Sequence, residues 1–253
     1  MLKSLLAAWL VMLTCSGLRA EDKPVPPPRV LTMEPVALIQ GYNGILKLRG
    51  MQLKSTQQVQ FAEAPNIKVE IKDKKDAGDV QGFDKADIGD SEVHIQLTIP
   101  PDQPAATLTF TIQTEAGSTA PMKIEILATS QSVEEKEPNN GFREAQAIEM
   151  GKPVRGNISQ DKDVDVYQFS GRTDEKIRAE IVAARAGSLM DGMLMLYNAR
   201  GILLAQEDDS AASRDPEVNF TLPADGTYFL VVNDAHDRGG EWRSYELTLK
   251  PTP

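Results

Sequence analysis

Acidic and amide side chains alternate in two short stretches of the sequence. Glu135, Glu137 and Asn139 occupy every second position of one stretch, and Asp163 and Asp165 do the same in a predicted strand. Alternate side chains of an extended backbone point to the same face. If these two edges meet, their carboxylates repel one another unless a cation lies between them. Calcium binds carboxylate, amide and carbonyl oxygens, so the pattern predicts a calcium site. The simpler alternative is a solvated acidic linker with ordinary surface aspartates.

Residues that could carry catalysis are scarce. The chain has two histidines and one cysteine, and it contains no G-x-S-x-G, no H-E-x-x-H and no glycine-rich phosphate loop. Neither histidine has the local context of a Ser-His-Asp triad. A pair of carboxylates for glycoside hydrolysis stays open, although few aromatic residues could form sugar platforms. We therefore predict no catalytic residue, with a peptidase or glycosidase that uses carboxylates of the C-terminal half as the alternative.

Three aromatic residues are candidates for a partner-binding surface. They are Tyr228, Trp242 and Tyr245. Trp242 lies between a Gly-Gly pair and Arg243, so we expect its ring to be exposed. The alternative is that all three belong to the core, where aromatic side chains of β-sandwiches usually lie.

The overall charge limits the choice of partners. The 253 residues include 37 acidic and 27 basic side chains, which gives a net charge of -10. Nucleic-acid binding needs a basic face, so this balance argues against such a partner. A hydrophobic fraction of 41% with 25% charged residues is typical of a folded globular protein.

Residues 1–20 have the pattern of a secretory signal peptide. Lys3 gives a positive start, a short apolar run follows, and Ala20 is the small residue before the expected cleavage point. Cys15 allows a lipoprotein as a less favoured alternative. Cleavage removes Lys3, Arg19 and the only cysteine, which makes the net charge two units more negative. We expect an exported protein, secreted or held in the periplasm or at the cell surface, with neither disulfides nor a transmembrane segment.

Alternation of apolar and polar residues predicts short strands in the first half of the chain. A proline-rich linker at 21–29 precedes a predicted immunoglobulin-like β-sandwich at 30–128. Its expected strands are Gly44–Gly50, Val59–Phe61, Ile67–Ile71, Val93–Ile99, Leu108–Ile112 and Met122–Ile126. We interpret 72–91 as a long polar loop and 129–136 as an acidic linker.

Residues 137–250 are predicted to form a second sandwich, of jelly-roll type, so the fold class is all-β with two tandem domains. Asn139 or Asn140 could cap a short helix in which Phe142, Ala145 and Ile148 face inward. The expected strands are Val154–Ile158, Val164–Phe169, Lys176–Ala184, Met193–Tyr197, Ile202–Ala205, Val218–Leu222, Thr227–Val232 and Tyr245–Leu249. An unbroken apolar run, Tyr228–Val232, is typical of a central strand covered on both faces.

An ordered series of motifs in this second half resembles a known family. The motifs are Glu137-Pro138-Asn139-Asn140, Phe142 with Ala145, Val154–Ile158, Asp163–Phe169, Leu194–Gly201, Asp208-Asp209, Leu222–Tyr228 and Tyr245-Glu246-Leu247. Together they resemble the bacterial pre-peptidase C-terminal domain and are similar to the collagen-binding modules of clostridial collagenases. The first half more loosely resembles an IPT/TIG immunoglobulin-like module, through Met33-Glu34-Pro35, Gly41 and Leu48–Leu53.

The resemblance implies a non-catalytic module that binds calcium. Its calcium ligands correspond here to Glu135, Glu137, Asn139, Asn140, Asp163 and Asp165. The expected function is a secreted binding or accessory protein whose partner is an extracellular or cell-envelope protein or polymer, such as a peptidase. A structural spacer without a ligand is a further alternative. Because two of the ligands lie on the linker itself, we also expect calcium to stiffen the joint.

Overall fold

The computed structural model describes residues 26–211 and 213–253. The expected signal peptide and most of the proline-rich linker lie outside these residues. Within the described ranges, no helix has the length and apolar character needed to cross a membrane.

The first half of the described chain is a β-sandwich, as the alternation predicts. Its strands are β1 (Arg29–Glu34), β2 (Ala37–Ile39), β3 (Asn43–Met51), β4 (Thr56–Phe61), β5 (Lys68–Asp76), β6 (Ser91–Thr98), β7 (Ala106–Thr114), β8 (Gly117–Ser118) and β9 (Met122–Leu127). One sheet has the order β1-β3-β6-β5, and the other has the order β2-β9-β7-β4 with β8 paired to β7. In β6, Val93, Ile95 and Leu97 are fully buried, so every second side chain of that strand enters the core.

The predicted long loop is shorter and more ordered than expected. Strand β5 continues to Asp76, because its backbone pairs with β6 as far as Ser91. A helical turn, α1 (Lys85–Ile88), follows, and the Asp84 carboxylate caps it by accepting a hydrogen bond from Ala86 N at 2.9 Å. The prediction of one polar loop across 72–91 is therefore wrong at both of these places.

The second half is also a β-sandwich. Its strands are β10 (Val133–Glu134), β11 (Gln146–Ala147), β12 (Val154–Asn157), β13 (Val164–Gly171), β14 (Lys176–Val182), β15 (Gly192–Asn198), β16 (Leu203–Glu207), β17 (Glu217–Thr221), β18 (Gly226–Asp234) and β19 (Ser244–Pro251). The sheets have the orders β10-β12-β19-β14-β17 and β11-β13-β18-β15-β16. The all-β prediction with sandwich domains is confirmed.

Strand β18 is central in its sheet, between β13 and β15. Tyr228, Leu230 and Val232 face the core between the two sheets. Phe229 and Val231 are buried on the opposite face. The apolar run is therefore covered on both faces, as predicted.

The short helix expected after Asn139 does not form. The backbone there stays close to strand β13, since Asn139 O accepts a hydrogen bond from Val166 N at 2.9 Å. A single turn follows at Gly141, and the chain then pairs in parallel with β13 as strand β11. Phe142, expected to face inward, is 40% exposed. Pairing with the sheet satisfies the backbone groups that a helix would otherwise have satisfied.

The predicted acidic linker contains a 3-10 turn (Thr129–Gln131) and strand β10. Val133 and Glu134 pair in parallel with Val154 and Arg155 of β12. Val133 also packs against the core of the second sandwich. This segment is therefore attached to the second sandwich along its own backbone.

Hydrogen bonds join the two sandwiches. Met33 N donates to Gly187 O at 3.0 Å, and Val36 N donates to Ser244 Oγ at 3.1 Å. Ser244 N donates to Glu34 Oε2 at 3.3 Å. Burial at this junction raises the pKa of the Glu34 carboxyl to about 7. A largely desolvated carboxylate thus accepts a hydrogen bond across the domain boundary.

Candidate metal centre

Three carboxylates converge where the segment after β10 passes strand β13. Glu135, Glu137 and Asp165 each offer one oxygen, and these oxygens lie within 4.8 Å of one another. Glu137 is exposed, Glu135 is partly buried and Asp165 is buried. The cluster therefore reaches from solvent into the edge of the core. The two alternating stretches meet here, which is the condition on which the predicted calcium site depends.

Asp165 is the innermost member and has no exposed surface. Its Oδ2 accepts a hydrogen bond from the Tyr245 hydroxyl at 2.6 Å. A second phenol, that of Tyr167, lies 2.6 Å from the Tyr245 oxygen. Asp165 Oδ1, by contrast, has no hydrogen-bond partner among the described residues. Asp165 Oδ1 is therefore available to a further positive group, which is either a proton shared with the adjacent Glu135 carboxylate or a cation.

Glu135 is fixed by donors from two directions. Its Oε1 accepts a hydrogen bond from Asn139 Nδ2 at 3.1 Å, and its Oε2 accepts one from Asn157 N at 2.7 Å. Gly156 makes this approach possible, because a Cβ at that position would lie 2.9 Å from Glu135 Oε2 and 2.5 Å from Cζ of Tyr245. The glycine therefore lets the linker carboxylate lie against the strand.

Asn139 lies beside the cluster, with its side-chain nitrogen directed at Glu135. The residue has no exposed surface, and its backbone N donates to Glu137 Oε2 at 2.9 Å. Within the described part of the chain its Oδ1 has no hydrogen-bond partner. A buried polar atom without a partner costs about 1–3 kcal/mol. Asn139 Oδ1 and Asp165 Oδ1 are two such acceptors, and both belong to residues of this group, so both are candidates to bind a cation.

The remaining two predicted ligands, Asp163 and Asn140, are held by local hydrogen bonds, and Asp163 is not among the three converging carboxylates. Asp163 Oδ2 accepts hydrogen bonds from Ser159 N and Oγ at 2.7 and 2.8 Å, and its Oδ1 accepts one from Val164 N at 3.1 Å. In the amide orientation that satisfies its neighbours, Asn140 Nδ2 donates to Asp163 Oδ1 at 3.0 Å and to Val164 O at 3.1 Å. The structure thus brings four of the six predicted residues together and occupies the other two with local hydrogen bonds.

The electrostatics of the cluster follow from burial and like charge. Desolvation, and then the adjacent Glu135 carboxylate, raise the pKa of Asp165 to about 10. Local desolvation raises the pKa of Glu137, although its side chain is exposed. Burial raises the pKa values of the Tyr167 and Tyr245 phenols well above their usual range. Negative charge is therefore costly here without a bound proton or cation.

The three aromatic candidates do not form an exposed surface. Tyr228, Trp242 and Tyr245 are only 3%, 4% and 1% exposed. The expected exposure of Trp242 is wrong, since its backbone oxygen accepts a hydrogen bond from Leu189 N at 2.8 Å, which holds this segment against its neighbour. Tyr228 stacks on Phe169 with ring centroids 5.7 Å apart. Tyr245 instead donates a hydrogen bond to Asp165, which lies 80 residues away in the sequence. No local sequence pattern indicates this contact.

Comparison with known proteins places the second sandwich in a family. Residues 163–234 match the profile of the bacterial pre-peptidase C-terminal domain. The second sandwich therefore carries a pre-peptidase C-terminal domain, as the motifs indicate. The matched range includes Asp165 but begins after Glu135, Glu137 and Asn139.

Relatives of known sequence or structure each match about half of the chain. A probable subtilase-type serine protease of Deinococcus radiodurans is 34% identical over 135 residues, which cover 51% of this chain and 18% of the protease. The chain thus matches less than a fifth of that protein's length. The pre-peptidase C-terminal domain of a Bacillus anthracis collagenase is 21% identical, with 46% of this chain and 100% of that one covered and a TM-score of 0.36. PliG of Aeromonas hydrophila, a periplasmic inhibitor of g-type lysozyme, is 16% identical, with coverages of 48% and 96% and a TM-score of 0.32.

Proposed function

We propose that this chain is an exported, non-catalytic accessory protein whose second sandwich binds a calcium ion at Glu135, Glu137, Asn139 and Asp165. The single observation that carries the calcium proposal is the pair of buried, unpaired oxygens, Asp165 Oδ1 and Asn139 Oδ1, beside converging carboxylates. A cation there satisfies both oxygens and removes the repulsion between the carboxylates.

The chemistry of the donors favours calcium over a transition metal. All the donors are carboxylate or amide oxygens, with neither a histidine nor a cysteine among them. Hard oxygen ligands of this kind suit calcium and magnesium, whereas zinc and copper prefer nitrogen and sulfur. Glu137 is exposed and leaves a route for the ion from solvent. Calcium also accepts irregular geometry more readily than magnesium does.

The same burial argues against catalysis by these carboxylates. Asp165 is covered on its inner side by Tyr245. A hydrolytic pair has to face a cleft that admits the substrate, and the buried carboxylate of this cluster does not. The second candidate function, a hydrolase, rests only on the number of carboxylates in the chain.

A peptidase, or another extracellular or cell-envelope protein or polymer, is the partner class that we propose. Support comes from the matched stretch of a probable subtilase-type protease, which makes up a small share of that protein. A module found in the same chain as a peptidase is a reasonable accessory to one. Export itself is tested by mass spectrometry of the N-terminus, which we expect to begin at Glu21; a lipid-modified Cys15 would contradict this cleavage point.

Isothermal titration calorimetry of the full chain tests the calcium site. After chelation, we expect calcium to bind with saturable heat and a stoichiometry of one. Asp165→Asn should abolish this heat, whereas Glu144→Gln, which removes a neighbouring charge outside the cluster, should preserve it. An absence of heat in the wild type, or equal affinity in Asp165→Asn, would contradict the proposal. Peptidase and glycosidase substrates are assayed in parallel, since turnover that Asp165→Asn abolishes would favour the hydrolase instead.

A further inference from the structure

Strand β16 forms an exposed edge of the second sandwich. It pairs with β15 on one side, and none of the described strands pairs with it on the other. Open edges invite pairing with another chain, and proteins usually protect them with charged side chains, above all lysine. The edge strand β5 of the first sandwich has this protection, because it carries four lysines. Strand β16 has the sequence Leu-Leu-Ala-Gln-Glu and no lysine.

Apolar side chains gather at the same edge. The large hydrophobic residues that are exposed in the described structure are Phe142, Ile202 and Leu203, at 40%, 49% and 45%. The Phe142 ring packs edge-on against Tyr197, with centroids 5.4 Å apart. Leu203 pairs with Tyr197 across the sheet, beyond a bulge at Leu204. Phe142 and Leu203 therefore both lie beside Tyr197, and Ile202 directly precedes the strand.

Opposite charges lie at the two ends of this strand. Arg200 is exposed just before it, and Asp208 and Asp209 are exposed just after it. The salt bridges found among the described residues include none of the three. If a second copy of the strand lies antiparallel to the first, each arginine comes next to the aspartates of the other copy. In that arrangement the charges of one copy lie next to opposite charges of the other copy. A twofold axis relates the two strands, so the contact occurs twice.

We propose that two copies of this chain associate through strand β16, antiparallel and about a twofold axis, with Phe142 and Leu203 extending the contact beyond the paired backbone. A stable interface buries ~800 Å² on each partner, which exceeds what one five-residue strand provides, so the flanking apolar side chains are a necessary part of it. Another protein would need the same charge order by coincidence, whereas a second copy supplies it by symmetry.

Sedimentation velocity over a range of protein concentrations tests this dimer. We expect the wild type to convert from monomer to dimer as its concentration rises. Arg200→Asp alone, and Asp208→Arg with Asp209→Arg, should each weaken dimerisation at least tenfold, since each places like charges together twice. An equal mixture of these two variants should recover the dimer, because both contacts in the mixed pair are again between opposite charges. Arg172→Asp, a charge reversal at an exposed position away from this edge, is the matched control.

Two results would overturn the proposal. One is a wild type that stays monomeric at millimolar concentration. The other is a dimer that neither charge reversal weakens, which would place the interface elsewhere. Leu203→Lys adds a lysine to the edge and should also weaken the dimer, with circular dichroism to show that the fold is intact. Calcium titration of the same variants separates the two proposals, since none of these residues belongs to the metal cluster.

Discussion

The calcium proposal makes a sharp prediction about Asp165→Asn in the metal-free protein. A carboxyl whose folded pKa is raised contributes its full stability below the unfolded pKa and loses it as the pH rises through the folded value. For Asp165 this window extends from the ordinary value of 3.8 to about 10. Throughout it, the folded chain holds a proton that the unfolded chain has released. Asparagine does not titrate, so the variant should lose this dependence on pH.

The size of the effect follows from that window. One bound proton gives a slope of about 1.4 kcal/mol per pH unit. From 3.8 to pH 7, the accumulated cost to the wild type is about 4 kcal/mol. Asparagine retains an oxygen that can accept the Tyr245 hydrogen bond and adds donors toward Glu135. The substitution should therefore stabilise the metal-free protein near neutral pH, although it replaces a buried polar residue.

Urea unfolding in the presence of a chelator measures this difference. The stability advantage of Asp165→Asn should grow by about 1.4 kcal/mol between pH values one unit apart. Calcium should shrink this advantage, because a ligand at 100 times its dissociation constant stabilises the wild type by about 2.7 kcal/mol and the variant much less. At 1,000 times its dissociation constant the gain is about 4.1 kcal/mol, which should cancel the advantage. Parallel pH profiles for the two proteins, or equal stabilisation by calcium, would refute the reasoning.

Three further outcomes are expected from the described contacts. Asp163→Ala should lower the free energy of unfolding in urea by about 1–3 kcal/mol, since it leaves local donors unpaired. Its calcium affinity in calorimetry should stay close to that of the wild type. A large loss of affinity would show that Asp163 is a ligand after all. Glu34→Gln should flatten the pH dependence of stability, because the pKa of Glu34 is raised in the folded protein. The contribution of Glu34 to the free energy of unfolding is complete below pH 4.5 and is lost as the pH rises through about 7. Unchanged pH profiles of thermal unfolding would contradict this. Gly156→Ala should weaken calcium binding in calorimetry, since its Cβ would displace the Tyr245 ring, and an unaltered affinity would show that the approach tolerates a side chain.

Much of the strand layout could be predicted because burial imposes alternation. Val93–Ile99 alternates in sequence, and strand β6 occupies nearly the same residues. The shared face of Glu135 and Glu137 could be anticipated for the same reason, since alternation decides which face a side chain occupies. Their meeting with Asp165 is a condition of the calcium prediction and not a result of it. These predictions depend on local periodicity, which the sequence displays directly.

Other features depend on contacts between distant residues or on competition between hydrogen bonds. Alternation places Asp163 beside Asp165, but it does not reveal that Ser159 and Val164 offer donors to Asp163 first. The helix expected after Asn139 fails because pairing with β13 competes with it. The inward position of Trp242 depends on a backbone contact more than 50 residues away.

Strand β10 determines where the second sandwich begins, and therefore which fragment could be transferred to another protein. Because Val133 pairs with β12 and packs into the second core, the segment that looks like a tether is the first strand of the sandwich. A fragment that begins at residue 137 would lose that strand together with Glu135. We expect the transferable unit to begin near residue 132. A genetic fusion made at the apparent linker would then leave Glu135 of the carboxylate cluster behind with the donor protein.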